Sequence, residues 1–102
     1  MTTITVEEVK ARLDKGEKLH LVDVREPFEN AEFNIGGTLL PLGKVQSLQI
    51  EDIEGFKNEE VILYCRSGRR SADAAYILES VGFTNTKNLT GGMLDWLQKF
   101  GS

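Results

Sequence analysis

The stretch Val61-Ile62-Leu63-Tyr64-Cys65-Arg66-Ser67-Gly68-Arg69-Arg70-Ser71 decides the fold. Its apolar run, from Glu60 to Tyr64, reads as a strand buried on both faces. The run breaks at Cys65, the only cysteine of the chain, into a polar loop with three arginines and a glycine. A helical pattern follows from Ser71 to Val81, with Ala74, Ala75, Leu78 and Val81 on one face and Gly82 at its end. A strand that passes through a loop into a helix is half of a βαβ unit, and such units build parallel sheets. Ligands of these sheets bind beyond the carboxyl ends of the strands. Cys65 stands at such an end.

The loop favours negative charge at that point. Backbone N–H groups of a tight loop can converge on one atom, and a helix N-terminus adds its own unpaired donors and the positive end of its dipole. Such surroundings lower a cysteine pKa and produce a nucleophilic thiolate near neutral pH. A lone cysteine at a strand end is otherwise a small buried hydrophobe. A structural cysteine has no use for Arg66, Arg69 and Arg70 around it, and the loop therefore reads as an anion site.

The rest of the chain alternates helix and strand signals. Thr5-Val6-Glu7-Glu8 opens a helix as a capping box, with Val6, Val9 and Leu13 as its apolar stripe and Gly16 at its end. Leu19 to Val24 reads as a buried strand. Pro27 suits the first turn of a short helix running to about Glu32. Gly36-Gly37 makes a turn before a short strand, Thr38-Leu39-Leu40, which Pro41 stops. Between Lys44 and Phe56 the pattern gives one or two helical turns. Thr86 to Leu89 reads as a strand followed by Gly91-Gly92. A closing helix from Met93 to Phe100 places Met93, Trp96, Leu97 and Phe100 inward. The expected fold is α/β: one domain over residues 1–102, with a mostly parallel central sheet and helices on both faces.

Composition narrows the function classes. A chain of 102 residues has room for one core, and its apolar and charged fractions, 40% and 27%, are ordinary for a globular protein. The net charge of −4, with no basic stripe outside residues 66–70, argues against nucleic acid as a partner. One cysteine excludes an internal disulfide, no Cys/His cluster has metal spacing, and no cofactor is implied. A thiol that must stay reduced suits a cytoplasmic location. The start Met1-Thr2-Thr3-Ile4-Thr5 lacks a basic region followed by an apolar stretch, and no run approaches membrane-spanning length, so neither a signal peptide nor a membrane partner is expected.

Three stretches together resemble a known family. They are Leu21-Val22-Asp23-Val24-Arg25-Glu26, the loop Cys65-Arg66-Ser67-Gly68-Arg69-Arg70-Ser71, and Asn88-Leu89-Thr90-Gly91-Gly92 with Trp96. In order and spacing the chain resembles a single-domain rhodanese, a thiosulfate or persulfide sulfurtransferase. The resemblance implies that Cys65 accepts a sulfane sulfur as a persulfide and passes it to a thiophilic acceptor. It also implies that Arg66, Ser67, Gly68, Arg69 and Arg70 cradle the anionic donor. The implied partners are a small anionic donor such as thiosulfate and a protein persulfide donor or acceptor. One departure stands out: the family's usual Gly-His-Ile-x-Gly-Ala pattern reads Phe33-Asn34-Ile35-Gly36-Gly37-Thr38 here, with Asn34 at the histidine. This variant is similar to rhodanese domains fused to adenylyltransferases that supply sulfur for thiocarboxylate formation. That similarity implies a protein acceptor and a persulfide relay with little free thiosulfate turnover.

Two rivals remain at this point. A cysteine phosphatase or arsenate reductase also uses a thiolate in an arginine-ended anion loop. Its loop must wrap a tetrahedral oxyanion and needs one more residue than lies between Cys65 and Arg70. A non-enzymatic interaction domain on the same fold is marked by loss of the cysteine or the loop, and both are present. Asp23, Arg25, Glu29 and Glu32 suggest an acid/base set, but the structural reading is that Arg25 pairs with a nearby carboxylate and pins the strand-to-helix corner. His20 begins a strand far from Cys65 in sequence, and Trp96 with Met93 and Phe100 reads as core packing. Arg66 and Arg69 are expected at the mouth of the site. Arg70 is expected to turn inward onto loop carbonyls or a buried carboxylate such as Asp23.

Overall fold

A computed structural model of the chain describes all residues, 1–102. Five strands, β1 (Thr2–Ile4), β2 (His20–Asp23), β3 (Thr38–Leu39), β4 (Glu60–Tyr64) and β5 (Asn85–Leu89), form one sheet in the order β1-β5-β4-β2-β3. Every neighbouring pair is parallel. Six helices connect them: α1 (Val6–Asp14), α2 (Pro27–Glu32), α3 (Leu42–Gln46), α4 (Glu51–Glu54), α5 (Arg69–Ser80) and α6 (Gly92–Phe100).

Side-chain alternation along the strands divides the core in two. On one face Val61, Leu63 and Cys65 of β4 pack with Val22, Val24 and the buried residues of α3, α4 and α5. On the other, Ile62 and Tyr64 pack with Leu21, Leu89 and the α1 and α6 residues Val6, Val9, Met93 and Trp96. This parity puts Cys65 on the α5 side, directly in line with the loop that leads into that helix.

Most of the expected elements are present. Thr5 caps α1 and exchanges bonds with Glu8, as the capping box requires. Helix α5 starts at Arg69 rather than Ser71, because Gly68 takes a left-handed φ of 100° and lets the chain turn straight into the helix. The weak region resolves into two short helices, α3 and α4. The strand β1 is new: Thr2 and Thr3 are exposed, three residues are too few for a period, and its register against β5 supplies the order. Leu97 does not face inward. Met93, Trp96 and Phe100 form the inner arc of α6, whereas Leu97 lies at its rim and is 39% exposed. Asn34 serves its own turn: its side chain donates to the Asn30 carbonyl and accepts from the Gly36 N–H.

The corner after β2 is held by a buried ion pair. The Arg25 guanidinium donates to both Asp23 oxygens at 2.9 and 2.8 Å, and Asn30 donates to the same carboxylate at 2.9 Å. Arg25 also donates to the Phe33 carbonyl and lies over the Tyr64 ring, 5.7 Å from its centroid. Arg25 thus ties β2, α2 and β4 together. Removing one partner of such a pair leaves an uncompensated buried charge. Asp23→Ala is expected to lose about 3–5 kcal/mol in urea unfolding. A loss below about 1 kcal/mol would mean that Arg25 reaches water on its own and does not hold the corner.

Candidate active site

The geometry at the carboxyl end of β4 starts with Cys65, whose side chain is buried at 1% exposure. The Gly68 N–H donates to Sγ at 3.1 Å and the Ser71 N–H at 3.4 Å. The Ser71 hydroxyl lies 3.4 Å from the same sulfur. Gly68 caps α5, and Ser71 is in its first turn, so these donors belong to the positive end of a 12-residue helix. Burial pushes the Cys65 thiol up. Hydrogen bonding from the Ser71 side chain, then from the N–H groups of Ser71, Gly68 and Ser67, outweighs it, and the thiol ends below its ordinary value.

The start of α6 holds the loop from behind. Gly91 and Gly92 have φ of 78° and 55°, and a Cβ on Gly92 would lie 2.6 Å from the Arg66 carbonyl oxygen. This close approach lets the Met93 N–H reach the Cys65 carbonyl at 2.9 Å and the Leu94 N–H reach the Arg66 carbonyl at 3.0 Å. With its carbonyls bound to α6, the loop is free to turn its N–H groups toward the sulfur. From β5, the buried Asn88 donates to the Gly68 carbonyl at 2.9 Å.

The three arginines divide as expected in part. Arg66 and Arg69 are both exposed, and Arg66 lines the groove that adjoins the loop. Arg70 does not reach Asp23 or the loop carbonyls. Its guanidinium makes a two-pronged pair with Glu29 of α2 at 2.8 and 2.9 Å and remains partly exposed. The reason is that Asp23 is already saturated by Arg25 and Asn30, whereas the α2 capping box presents Glu29 to the start of α5. Arg70 holds the Glu29 carboxyl down at about 2, so Glu29 is ionised throughout the working range and is no general acid. Burial pushes Tyr64 up to about 12, which removes it as an acid or base as well.

Asp23 is paired with Arg25 and Glu29 with Arg70, as structural ion pairs. His20 sits at the opposite end of β2, stacked on Phe56 with ring centroids 4.1 Å apart. A groove of about 140 Å³ adjoins the loop, lined by Arg66, Arg25, Glu29, Glu32, Phe33, Met93, Leu94 and Leu97. Sequence reasoning missed this groove, the Glu29 partnership and the role of Asn88. Asn88 was named only within a resemblance stretch, and a polar side chain inside a short buried strand was the physical signal of its role. No group of three or more histidine, cysteine or acidic side chains stands together as a metal set.

The hydrogen bonds to Sγ generate a direct expectation. Alkylation of Cys65 by iodoacetamide should show a pH midpoint below the ~8.5 of a free thiol. A midpoint at or above that value would mark Cys65 as an inert buried thiol.

Comparison with known proteins agrees with this geometry. The family model for the rhodanese-like domain matches residues 5–99. A sulfurtransferase of Allochromatium vinosum is 36% identical over 91% of this chain and 85% of its own length. MoeZ of Mycobacterium tuberculosis, named a probable adenylyltransferase/sulfurtransferase, is 34% identical over 96% of this chain and 25% of its own length. The chain spans a quarter to about half of the length of several curated relatives that it matches. A solved rhodanese-like domain protein from Staphylococcus aureus superposes with a TM-score of 0.80 at 33% identity, covering 94% of this chain and 91% of that one. With its parallel sheet, its cysteine loop and these relatives, the chain belongs to the rhodanese-like domain family.

Proposed function

We propose that this chain is a sulfurtransferase that moves a sulfane sulfur from thiosulfate or a persulfide donor to a thiophilic acceptor through a persulfide on Cys65. The observation that carries this reading is the convergence of the Gly68 and Ser71 N–H groups on a sulfur whose pKa is lowered. The Cys65 thiolate attacks the outer sulfur of the donor. With thiosulfate, the S–S bond breaks, sulfite leaves with the bonding pair, and Cys65 holds a terminal sulfur that carries the negative charge. An acceptor such as cyanide then takes that sulfur as thiocyanate. The electron pair of the broken S–S bond returns to Sγ, and the thiolate is restored without a net proton. No metal or organic cofactor takes part.

In this reading the loop amides from Arg66 to Arg70 stabilise first the thiolate and then the persulfide. The second sulfur stands about 2 Å beyond Sγ. Arg66 and Arg69, exposed at the mouth, attract the anionic donor over a range that salt screens at about 8 Å. Arg70 with Glu29, and Arg25 with Asp23, support the walls and touch neither sulfur. A reducing cytosol suits the thiol.

A second reading is a persulfide relay to a protein acceptor with little turnover of free thiosulfate. The exposed Leu94 and Leu97 beside the loop favour it, and so does the likeness to MoeZ, whose name joins sulfur transfer to adenylyl transfer. Phosphate chemistry is disfavoured, because Arg70 follows Cys65 by five positions and is engaged with Glu29.

Cys65→Ser is expected to abolish thiocyanate formation from thiosulfate and cyanide while the melting temperature stays close to that of the parent chain. Turnover in the folded variant would overturn the assignment. The double change Arg66→Ala with Arg69→Ala should raise the KM for thiosulfate severalfold and flatten its salt dependence. An unchanged salt profile would remove the arginines from donor capture.

A further inference from the structure

We propose that Asn88 is a positioning residue for the Cys65 thiol, one that takes the single proton of the Ser71 hydroxyl and so limits how far that hydroxyl can stabilise the thiolate. The inference deepens the sulfur-transfer reading of the same site.

Side-chain alternation in β5 sets Asn88 in place. Thr86 and Asn88 share the sheet face that carries α5: the Thr86 hydroxyl donates to Glu79 of that helix, and Asn88 meets Ser71 and Gly68 at its start. Asn88 is 8% exposed and no buried polar side-chain atom of the chain lacks a partner.

The proton count around Asn88 then has one solution. The Gly68 carbonyl can only accept, so the Asn88 amide nitrogen must face it, at 2.9 Å. The amide oxygen is therefore turned to Ser71, whose Oγ lies 2.5 Å away. Two oxygens at that distance repel unless a proton lies between them, and only Ser71 has one to give. The same hydroxyl is 3.4 Å from Cys65 Sγ. One proton thus has two claimants, and the amide oxygen is the nearer. While Asn88 holds it, Ser71 presents a lone pair to the sulfur, which suits an S–H donor and opposes a thiolate. When Cys65 ionises, Ser71 can turn its proton to Sγ only by leaving two acceptors face to face. The thiolate then leans on the N–H groups of Ser71, Gly68 and Ser67, and draws less from the Ser71 hydroxyl than it would without Asn88. A thiol loses intrinsic nucleophilicity as its pKa falls, and attack is fastest with a pKa near ambient pH. Asn88, by holding the Ser71 proton, limits the fall of the Cys65 pKa.

A double-mutant cycle reads the coupling through the pH midpoint of iodoacetamide alkylation. Asn88→Leu is made in the parent chain and in the Ser71→Ala chain. Loss of the Gly68 contact occurs in both backgrounds. The charged groups on the elements around Cys65, namely Arg66, Arg69, Arg70 and Asp73 of the loop and α5, Glu26 at the cap of α2 with Glu29 and Glu32 within it, Asp23 at the end of β2 and Arg25 after it, and Asp95 of α6, are also the same in both. These contributions cancel. The proposal expects Asn88→Leu to lower the midpoint by at least about half a pH unit more when Ser71 is present than when it is absent. Equal shifts in the two backgrounds, or a larger fall without Ser71, would overturn it and leave Asn88 as a brace of the loop. Melting curves establish that each variant is folded, and Asn88→Ala, which needs no repacking, repeats the cycle if the leucine does not fit. Alkylation requires no sulfur transfer, so the result stands apart from the outcome of the thiocyanate assay.

Discussion

A sulfur at 1% exposure can take on charge only where hydrogen-bond donors already point at it. Everything at the carboxyl end of this sheet follows from that constraint. Beside the Ser71 hydroxyl the donors come from the backbone, and the backbone must be bent to supply them. The left-handed Gly68 turns its own N–H to Sγ and starts α5 at once, which adds the Ser71 N–H from the first helical turn. The carbonyls that this bend leaves over are taken by α6 and by Asn88.

The loop is therefore held by groups distant in sequence. Gly92 allows the start of α6 to come against Cys65 and Arg66, β5 contributes Asn88, and α2 contributes Glu29 to Arg70. The buried Arg25–Asp23 pair fixes the corner from which α2 leaves. Charges thus have separate tasks. Paired arginines brace the walls, and in the proposed transfer the two exposed ones act on the incoming anion. The groove beside Arg66 is half apolar, through Phe33, Met93, Leu94 and Leu97.

Much of this was legible in the sequence because the strongest signals are local. The apolar run ending at Cys65, the capping box at Thr5 and Pro27 at the head of a short helix each declare an element from a few neighbouring residues, and each stands where the pattern placed it. What failed was non-local. β1 is three residues long and exists because β5 offers it an edge. Arg70 was matched to Asp23 on sign alone, whereas saturation of Asp23 by Arg25 and Asn30 sends Arg70 to Glu29. Leu97 shares helical spacing with the buried face but lies at its rim, where the neighbouring elements stop. Asn88 stood in one of the stretches that carry the resemblance, but its role was not legible, since its partners lie 17 and 20 positions away.

The central claim is that Cys65 carries sulfur, and intact mass spectrometry tests it without reference to rate or acceptor. After incubation with thiosulfate and removal of excess, the parent chain should gain the mass of one sulfur atom, cyanide or a reductant should remove it, and the Cys65→Ser chain should gain nothing. A parent chain that stays at its original mass with thiosulfate and with a persulfide donor, or an equal gain in the Cys65→Ser chain, would contradict the account.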